Sequence, residues 1–455
     1  MGRAVDKALR LRYLIYAYFF LLLYDGILRK WIFPDYDNII MVIKQAVAVL
    51  VVFYGGQQIT RLTGWEKAAV WGGIVTFLLT LLVGHGNLVV ALWGCYPWLI
   101  GFPLCYIIAK GLRYNDIDRM GKIIVYTSIV NSLLIILQFS MPIDSWINYQ
   151  GGEVNDRMSR FSVSELYGLF RPAGIFMHYS HSALFTLLAL SFQSYFFLYR
   201  KEVMNKWMLY MAVLLLFITI PFAISRIMIF YIVGFVAYLI ILVMSAKNRW
   251  RLAKAFIVSL PLLYVVSTTS SAKRAWRTMM KRFDVAVMVQ YGETSTASGT
   301  MTDIYDRGVV YNIKALTDPK TLDGDDVPFW GYGQGMSTQV GGRLLGLREH
   351  AGFSLAEFDG LRIVCESGLF LGWILLFIRM GYVLRFLPRV WRNQEREGKL
   401  TAILFPSFFI SFFLYTTWGN SFQMCFAFMT GGLFLTSLKD DKPKETINRV
   451  ELWKV

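Results

Sequence analysis

Several charged side chains lie within or beside long apolar runs of this sequence, and each is a candidate for binding or catalysis. They are Asp25, Arg29, Lys30, Lys44, Arg171, Arg226, Arg362 and Glu366, with His178 and His181 three residues apart. A charge in apolar surroundings is costly, so it is retained mainly where it serves a ligand, an ion or another charge. The alternative is that charges near helix ends extend to water and have no chemical role. Arg171, Arg226 and Glu366 together favour the functional interpretation.

Other residue patterns argue against several common chemistries. His178 and His181 share a helix face and could hold a metal, but no third ligand or Asp-rich motif accompanies them, so we expect no metal and no cofactor. The glycines of 331–335 are not followed by Lys and Ser or Thr, and they predict a tight turn rather than a phosphate-binding loop. No Ser/His/Asp or Cys/His nucleophile arrangement can be picked out.

The elements that must position these residues are apolar helices. Hydrophobic residues make up 56% of the 455 residues and charged residues only 17%, whereas soluble domains have roughly 25% charged residues. The apolar runs approach the length that a helix needs to cross a bilayer and do not alternate like membrane strands. The sequence therefore predicts an all-α polytopic membrane protein with about twelve transmembrane helices. We place them at 12–28, 38–56, 67–84, 86–109, 119–140, 173–199, 207–224, 226–245, 252–268, 361–385, 401–417 and 419–438.

The net charge of +16 follows from topology. With the amino terminus inside, the inner connections hold about 27 Lys and Arg against about 11 Asp and Glu, which accounts for the whole excess. A nucleic-acid partner is therefore not expected. No small-residue cleavage site follows the first apolar run, so we expect an uncleaved anchor and two cytoplasmic termini. The four cysteines have no zinc-ligand spacing and are expected to be packing residues.

Two predicted outer segments are much longer than the other connections. One lies near 141–172; the other covers about 269–360, between the ninth and tenth helices, and loops of that length are usually functional. In the second, Lys273–Gln290 is amphipathic at helical spacing and could lie on the outer leaflet, and Thr302–Leu316 is a second short helix. The chain then divides into helices over 1–268, the large outer loop over 269–360, helices over 361–438 and an inner tail over 439–455.

Four segments together resemble the O-antigen polymerase/O-antigen ligase superfamily of bacterial envelope proteins. They are Phe170–Phe176, Ser225-Arg226, Phe329–Gly335 and Glu357–Gly368 with Gly372 one turn on. Their order, their spacing and the long outer loop resemble the family from about the fifth to the twelfth helix. Asp25–Trp31 also looks like a signature of one branch of these proteins.

The resemblance implies a metal-independent glycosyltransferase in the inner membrane, with its site facing the periplasm. The donor would be an oligosaccharide on undecaprenyl pyrophosphate, and a chain-length regulator is a further partner that the family allows. Arg171 and Arg226 would bind the pyrophosphate, with Arg362, Lys44 and Arg29 as further candidates, because fixed cations can stabilise its charge. His178, Glu366 and Tyr332 would support the site.

The general base is where this sequence departs from the family pattern. Family members commonly carry a His nine residues before the glutamate that matches Glu366, and here that residue is Glu357. Either Glu357 accepts the proton, or His350 or Asp359 reaches the site instead. The alternative is that Glu357 and Asp359 only pair with Arg348 or Arg362. Aromatic side chains that could stack on sugar rings, or simply lie at the membrane interface, are Trp276, Trp330, Tyr332 and Tyr149.

The leading interpretation is a polysaccharide polymerase that passes the lipid-linked glycan to another lipid-linked repeat. The nearest alternative is a ligase that passes it to lipid A–core, which would need the same outer-face site. A lipid-linked oligosaccharide transporter is the alternative from another class, but it predicts symmetric halves and polar groups near the midplane. A non-catalytic scaffold of an envelope complex is a third.

Overall fold

Helices make up the regular structure of the part of the chain that the computed structural model describes. That part is residues 2–149, 171–200, 202–243, 249–250, 261, 264, 266–291, 310, 314, 316–317, 326–346, 359–392, 400–413 and 416–441. Its α-helices are α1 (Gly2–Ile27), α2 (Asp37–Tyr54), α3 (Gly64–Leu82), α4 (Leu88–Tyr96), α5 (Phe102–Gly111), α6 (Tyr114–Ser140), α7 (Tyr179–Leu198), α8 (Lys206–Phe222), α9 (Arg226–Tyr238), α10 (Ser270–Tyr291), α11 (Gln339–Leu344), α12 (Asp359–Ser367), α13 (Leu369–Leu384), α14 (Leu387–Arg392), α15 (Leu400–Phe412) and α16 (Ser421–Ser437).

Seven helical segments of the described residues are long and apolar enough to cross a membrane. They are Lys7–Ile32, Pro34–Tyr54, Gly64–Leu82, Leu88–Gly111, Tyr114–Ser140, Tyr179–Leu198 and Leu369–Trp391. Three shorter apolar helices accompany them, at Lys206–Phe222, Arg226–Ile241 and Leu400–Phe412. The prediction of an all-helical membrane protein is confirmed. The predicted helix at 252–268 lies almost entirely outside the described residues.

Ion pairs tie together helix ends at one end of the bundle. Arg12 near the start of α1 contacts Asp116 at the start of α6, and Arg385, just after α13, lies 3.0 Å from Glu66 at the start of α3. Lys439, just past α16, donates to the carbonyl of Leu112, which follows α5. The beginnings of α2, α7 and α16 therefore lie at the opposite end, where the residues of the candidate site are.

The centre of the bundle is α16, which is buried along its whole length against α5 and α15. Aromatic side chains surround it: the rings of Phe102 and Tyr382 are 4.9 Å apart, and that of Trp418 is 5.0 Å from Phe428. All four cysteines are buried and free, and Cys105 Sγ lies 3.3 Å from the carbonyl oxygen of Phe428. The prediction that the cysteines are packing residues is confirmed.

Two predicted helix boundaries are wrong, and both concern candidate residues. The helix predicted from 173 begins only at Tyr179, so Arg171 lies in a non-helical segment, because Gly174 has φ +63° and cannot continue a helix. The single helix predicted over 361–385 is two helices that break at Gly368, where φ is +80°. Arg362 and Glu366 thus belong to the short α12 and precede the membrane-spanning segment.

The amphipathic helix predicted at Lys273–Gln290 is present as α10, but the face that it buries differs from the predicted one. Ala272, Ala275 and Met279 are buried on the side that packs near α8. Trp276 and Met280, on the predicted apolar face, are exposed. The small alanine side chains let α10 approach its neighbour, and its larger apolar groups remain uncovered by the described residues. The predicted helix at Thr302–Leu316 lies largely outside those residues.

Candidate functional site

The segment 171–178, which precedes α7, is fastened to α6 by two polar side chains. Gln138 accepts from the Gly174 amide at 2.8 Å and donates to its carbonyl at 3.1 Å. Asn131 Oδ1 accepts from the amide of Ile175 at 3.0 Å. A Cβ atom at Gly174 would lie 2.0 Å from that oxygen, so the segment fits α6 only with glycine there. These contacts fix the backbone just after Arg171.

The same segment also contacts α1, so the Asp25–Trp31 and Phe170–Phe176 motifs lie together. A Cβ atom at Gly26 would lie 2.0 Å from the carbonyl oxygen of Ile175, so the two backbones touch. Lys30 Nζ donates to the carbonyl of Gly174 at 3.0 Å and is fully buried. The guanidinium of Arg171 lies 3.8 Å from the ring centroid of Tyr179. Two basic side chains therefore lie near the start of α7.

Two helices begin at this place, and their first turns contact each other. His178 caps α7 by accepting from the amide of Ser180 through Nδ1. Asn420 caps α16 by accepting from the amides of Phe422 and Gln423 at 3.0 and 3.2 Å. Gln423 Nε2 then donates to Ser180 Oγ at 2.9 Å, which joins the two first turns. Helix N-termini attract anions, so the junction adds to the attraction of the nearby cations.

Lys44 and Arg29 lie beside this junction, but each already has a carboxylate partner. Lys44 Nζ is 2.9 Å from Asp25 Oδ2, and both side chains are buried. Arg29 contacts the same carboxylate at 3.2 Å and also pairs with Asp37. Of the predicted phosphate-binding residues, these two have their charge partly compensated, and their direct role is to fix α1 to α2.

Asp359, Arg362 and Glu366 form a second cluster with Arg379, which sequence reasoning missed. Arg362 donates to Asp359 Oδ1 at 2.6 Å and to Glu366 Oε2 at 2.7 Å, and Arg379 pairs with the other oxygen of Asp359. All four side chains are buried. Arg379 also donates to the carbonyls of Phe412, Phe413 and Thr416, at the end of α15.

The charge state of Asp359 follows from its partners. Burial alone would raise the pKa of this carboxyl, but the Arg362 and Arg379 guanidiniums outweigh burial and hold the pKa below its usual value. Both carboxylate oxygens accept hydrogen bonds from these arginines. Such a carboxylate is a poor proton acceptor, and the pairing of Asp359 with Arg362 is the alternative that the sequence left open.

The two clusters meet at the turn that leads into α16. A Cβ atom at Gly419 would lie 3.4 Å from Cδ of Arg362, and the Arg379 guanidinium lies 3.7 Å from the ring centroid of Trp418. The next residue, Asn420, caps α16 and contacts His181 at 3.1 Å. The buried ion cluster therefore fixes the turn whose last residue belongs to the junction.

The glycine-rich segment 331–335 docks on α12 as a tight turn, as its sequence predicts. Its glycines at 331, 333 and 335 have positive φ. The amide of Tyr332 donates to the Cys365 carbonyl and that of Gly333 to the Glu366 carbonyl, both at 2.9 Å. Ser337 donates to Glu366 Oε1 through its amide at 3.1 Å. Glu366 thus joins the loop to α12, and Tyr332 is placed against it through its backbone.

Arg226 begins α9 after a strained turn. Ser225 caps the helix by accepting from the amide of Met228 at 3.3 Å. The preceding Ile224 is buried and has φ 46°, a region that β-branched residues adopt only under constraint. Since α8 and α9 run in opposite directions, Arg226 lies at the same end of the bundle as the start of α7. Within the described residues, Arg226 has no carboxylate partner.

The structure thus groups some of the predicted site residues and separates others. One group contains Arg171, His178, Lys44 and Arg29. The neighbouring cluster contains Asp359, Arg362, Glu366 and Tyr332, and Arg226 lies apart from both. The remaining two candidates, Glu357 and His350, lie outside the described residues. Among the described residues, no three His, Cys, Asp or Glu side chains are placed to hold a metal ion. Sequence reasoning gave no role to Asn131, Gln138 or Asn420, although polar residues within apolar runs are a usable signal.

No family model, no curated protein and no solved structure matches this chain. The fold and the site therefore define only the structural class of this chain, which is a helical membrane protein. Its described residues gather cations and two helix N-termini at one end of the bundle.

Proposed function

We propose that the protein is a metal-independent membrane glycosyltransferase, a polysaccharide polymerase that uses an undecaprenyl-pyrophosphate-linked donor. The observation that carries the proposal is the junction of two helix N-termini, those of α7 and α16, where Arg171 and Lys30 lie beside the start of α7. A pyrophosphate leaving group carries concentrated negative charge, and such a junction attracts anions. Fixed donors of this kind stabilise the charge that develops as the glycosidic bond to phosphate breaks.

The number of membrane spans and their orientation are part of the same proposal. About twelve spans, with both termini in the cytoplasm, place the α7–α16 junction on the periplasmic side of the bacterial inner membrane. The glycine-rich segment 331–335 then lies on that side, because it docks on α12. The exposed Trp276 and Met280 of α10 rest on the outer leaflet, where aromatic side chains are favoured.

The two predicted arginines have different roles in this scheme. Arg171 lies above Tyr179 at the start of α7 and binds one phosphate. Arg226 is half-buried at the same end of the bundle, and its charge is available to the second phosphate or to the sugar that leaves it. Arg362, Lys44 and Arg29 already contact carboxylates, so they position the site rather than bind the donor.

The experiment uses purified protein in detergent, lipid-linked repeat units and a chelator, with products resolved on a gel. A ladder of lengthening lipid-linked chains supports the polymerase. A single shift of added lipid A–core would instead identify a ligase. No product with either acceptor would contradict both and favour a transporter or a scaffold.

Substitution of the arginines tests the site itself. Arg171→Ala and Arg226→Ala should each lower transfer by about 10²-fold or more, the effect of removing one fixed donor to a developing oxyanion. Arg277→Ala is the matched control, because Arg277 is an exposed arginine of α10 away from the junction. Membrane insertion and abundance should be equal in all three variants. Wild-type rates in Arg171→Ala would remove the pyrophosphate site from the proposal.

A further inference from the structure

His181 has a hydrogen-bond arrangement that fixes where its proton lies. Its Nε2 is 3.1 Å from Asn420 Oδ1, and this oxygen already accepts from two backbone amides at the start of α16. An atom that accepts from amides is the oxygen of the Asn side chain, so Nε2 of His181 must donate to it. The neutral imidazole therefore has its hydrogen on Nε2 and a lone pair on Nδ1.

The lone pair on Nδ1 is buried and has no hydrogen-bond partner among the described residues. Only 4% of His181 is exposed, and its ring stacks on Phe422 with centroids 4.3 Å apart. A buried acceptor without a partner is costly, by about 1–3 kcal/mol, so such an atom calls for an explanation. A donor that arrives with a substrate would satisfy it.

The described carboxylates near His181 are already paired with cations. Asp359 accepts from two arginines, and Glu366 accepts from Arg362 and Ser337. Asp25 pairs with Lys44 and Arg29 through Oδ2. His178 already accepts from the Ser180 amide through Nδ1, so His181 is the described histidine at the junction whose lone pair is unused.

Charged and polar groups from α1, α2 and α16 face His181. His178 on the same helix has its ring 5.7 Å away, and Lys44 of α2 and Arg29 beside α1 bring positive charge. The carboxylate of Asp25 is paired with both of these cations, and α16 contributes Asn420 and Phe422. An anion that enters the site would therefore offset the positive charge around the imidazole.

We propose that His181 is the general base of the transfer reaction, an inference that rests on the proposed function. The acceptor sugar hydroxyl attacks the anomeric carbon of the donor, and its proton moves to His181 Nδ1. The new bond joins the acceptor oxygen to the anomeric carbon; the bond from that carbon to the phosphate oxygen breaks, and its electron pair leaves with the pyrophosphate. Asn420 accepts from Nε2 throughout, and the bound pyrophosphate offsets the charge of the imidazolium. The proton then passes to water as the product leaves.

The first test separates the chemical step from donor binding. His181→Gln should lower transfer by about 10²-fold or more, the contribution of a positioned general base. Stabilisation of the variant against heat by undecaprenyl pyrophosphate should stay within about threefold of wild type in apparent affinity, because the cations remain. Arg277→Ala, on the exposed side of α10, is again the control. Its transfer rate should equal that of wild type.

The second test measures the pH–rate profile, which would not shift if His181 had a structural role only. Asn420→Asp keeps the cap of α16 but places a carboxylate on Nε2, which makes the imidazole more basic. The acidic limb of the pH–rate profile should therefore shift to higher pH, while ligand-free thermal stability stays close to wild type. An unchanged profile in an active Asn420→Asp variant would overturn the assignment.

The outcomes distinguish this inference from the proposed function. Absence of product with wild-type protein and both acceptors would reject the glycosyltransferase itself. An active wild type with an equally active His181→Gln would reject the base and leave the pyrophosphate site standing. Loss of undecaprenyl pyrophosphate binding together with transfer in His181→Gln would also reject it, because His181 would then serve binding or structure only.

Discussion

Replacing Asp359 with Asn tests how much the buried ion cluster contributes to stability. Asp359 accepts from Arg362 and Arg379, and the side chains of all three are at most 6% exposed. Asn has nearly the same shape but no charge, so two buried guanidiniums lose their shared counter-ion. Breaking a buried ion pair costs about 3–5 kcal/mol. For a chain of 455 residues, the unfolding entropy converts this cost to a fall in Tm of about 3–5 °C.

The measurement is thermal unfolding of the detergent-solubilised protein, followed by the loss of helical circular dichroism. Glu202→Gln is the matched control, since Glu202 pairs with Arg200 at the surface and is 67% exposed; its Tm should equal that of wild type. Adding Arg379→Met to Asp359→Asn should cost less than the sum of the two single changes, because the members of a contacting pair are not independent.

The Tm difference between wild type and Asp359→Asn should depend on pH in a definite direction. The pKa of Asp359 is held below its usual value by the two arginines. A carboxyl of this kind stabilises the fold above its unfolded pKa, and the contribution disappears as the pH falls through the folded pKa. The Tm gap between wild type and Asp359→Asn should therefore be constant near neutral pH and shrink below about pH 4. Equal Tm values at neutral pH, or a gap that widens in acid, would refute the reasoning.

Two further substitutions probe the backbone near the site. Gly174→Ala should abolish transfer and lower Tm, because the added Cβ would lie 2.0 Å from Asn131 Oδ1 and displace the segment after Arg171. Wild-type activity in this variant would contradict the packing described. Gly234→Ala is the control, because a Cβ atom there meets nothing within 4 Å. At Ile224, where φ is 46°, the Gly variant should be more stable than the Ala variant by about 1 kcal/mol, the reverse of the usual helix order. Chemical denaturation measures the free energy of unfolding of the two variants. A more stable Ala variant would exclude a left-handed backbone at this position.

The sequence was informative wherever a local property decides structure. Apolar runs and their lengths indicated most of the helices, since a helix that crosses a bilayer needs little beyond composition. The glycine turn at 331–335 and the start of α9 at Arg226 were also predictable from local residue types. Charge asymmetry placed the candidate residues at one end, and the ion pairs at the opposite end agree with that arrangement.

What the sequence could not reveal depends on contacts between distant segments. Gly26 meets Ile175, and His181 meets Asn420, across more than a hundred residues of chain. No local pattern predicts such pairs. The late start of α7 had a visible signal in Gly174, but hydropathy alone extended the helix over it. Arg379 was missed although a charge inside an apolar run is a usable signal, because its partners, Asp359 and the backbone carbonyls at the end of α15, are distant in sequence.

The turn before α16 is shared by the ion cluster and the α7–α16 junction, and this has a thermodynamic consequence. Glu366 binds both the glycine-rich segment, through Ser337, and Arg362, which packs against Gly419. The docked loop and the correctly placed Asn420 therefore favour each other. By linkage, a ligand that requires Asn420 in place tightens loop docking by the same factor that docking tightens the ligand. If the proposed donor binds at the junction, the loop would therefore dock more tightly when the site is filled.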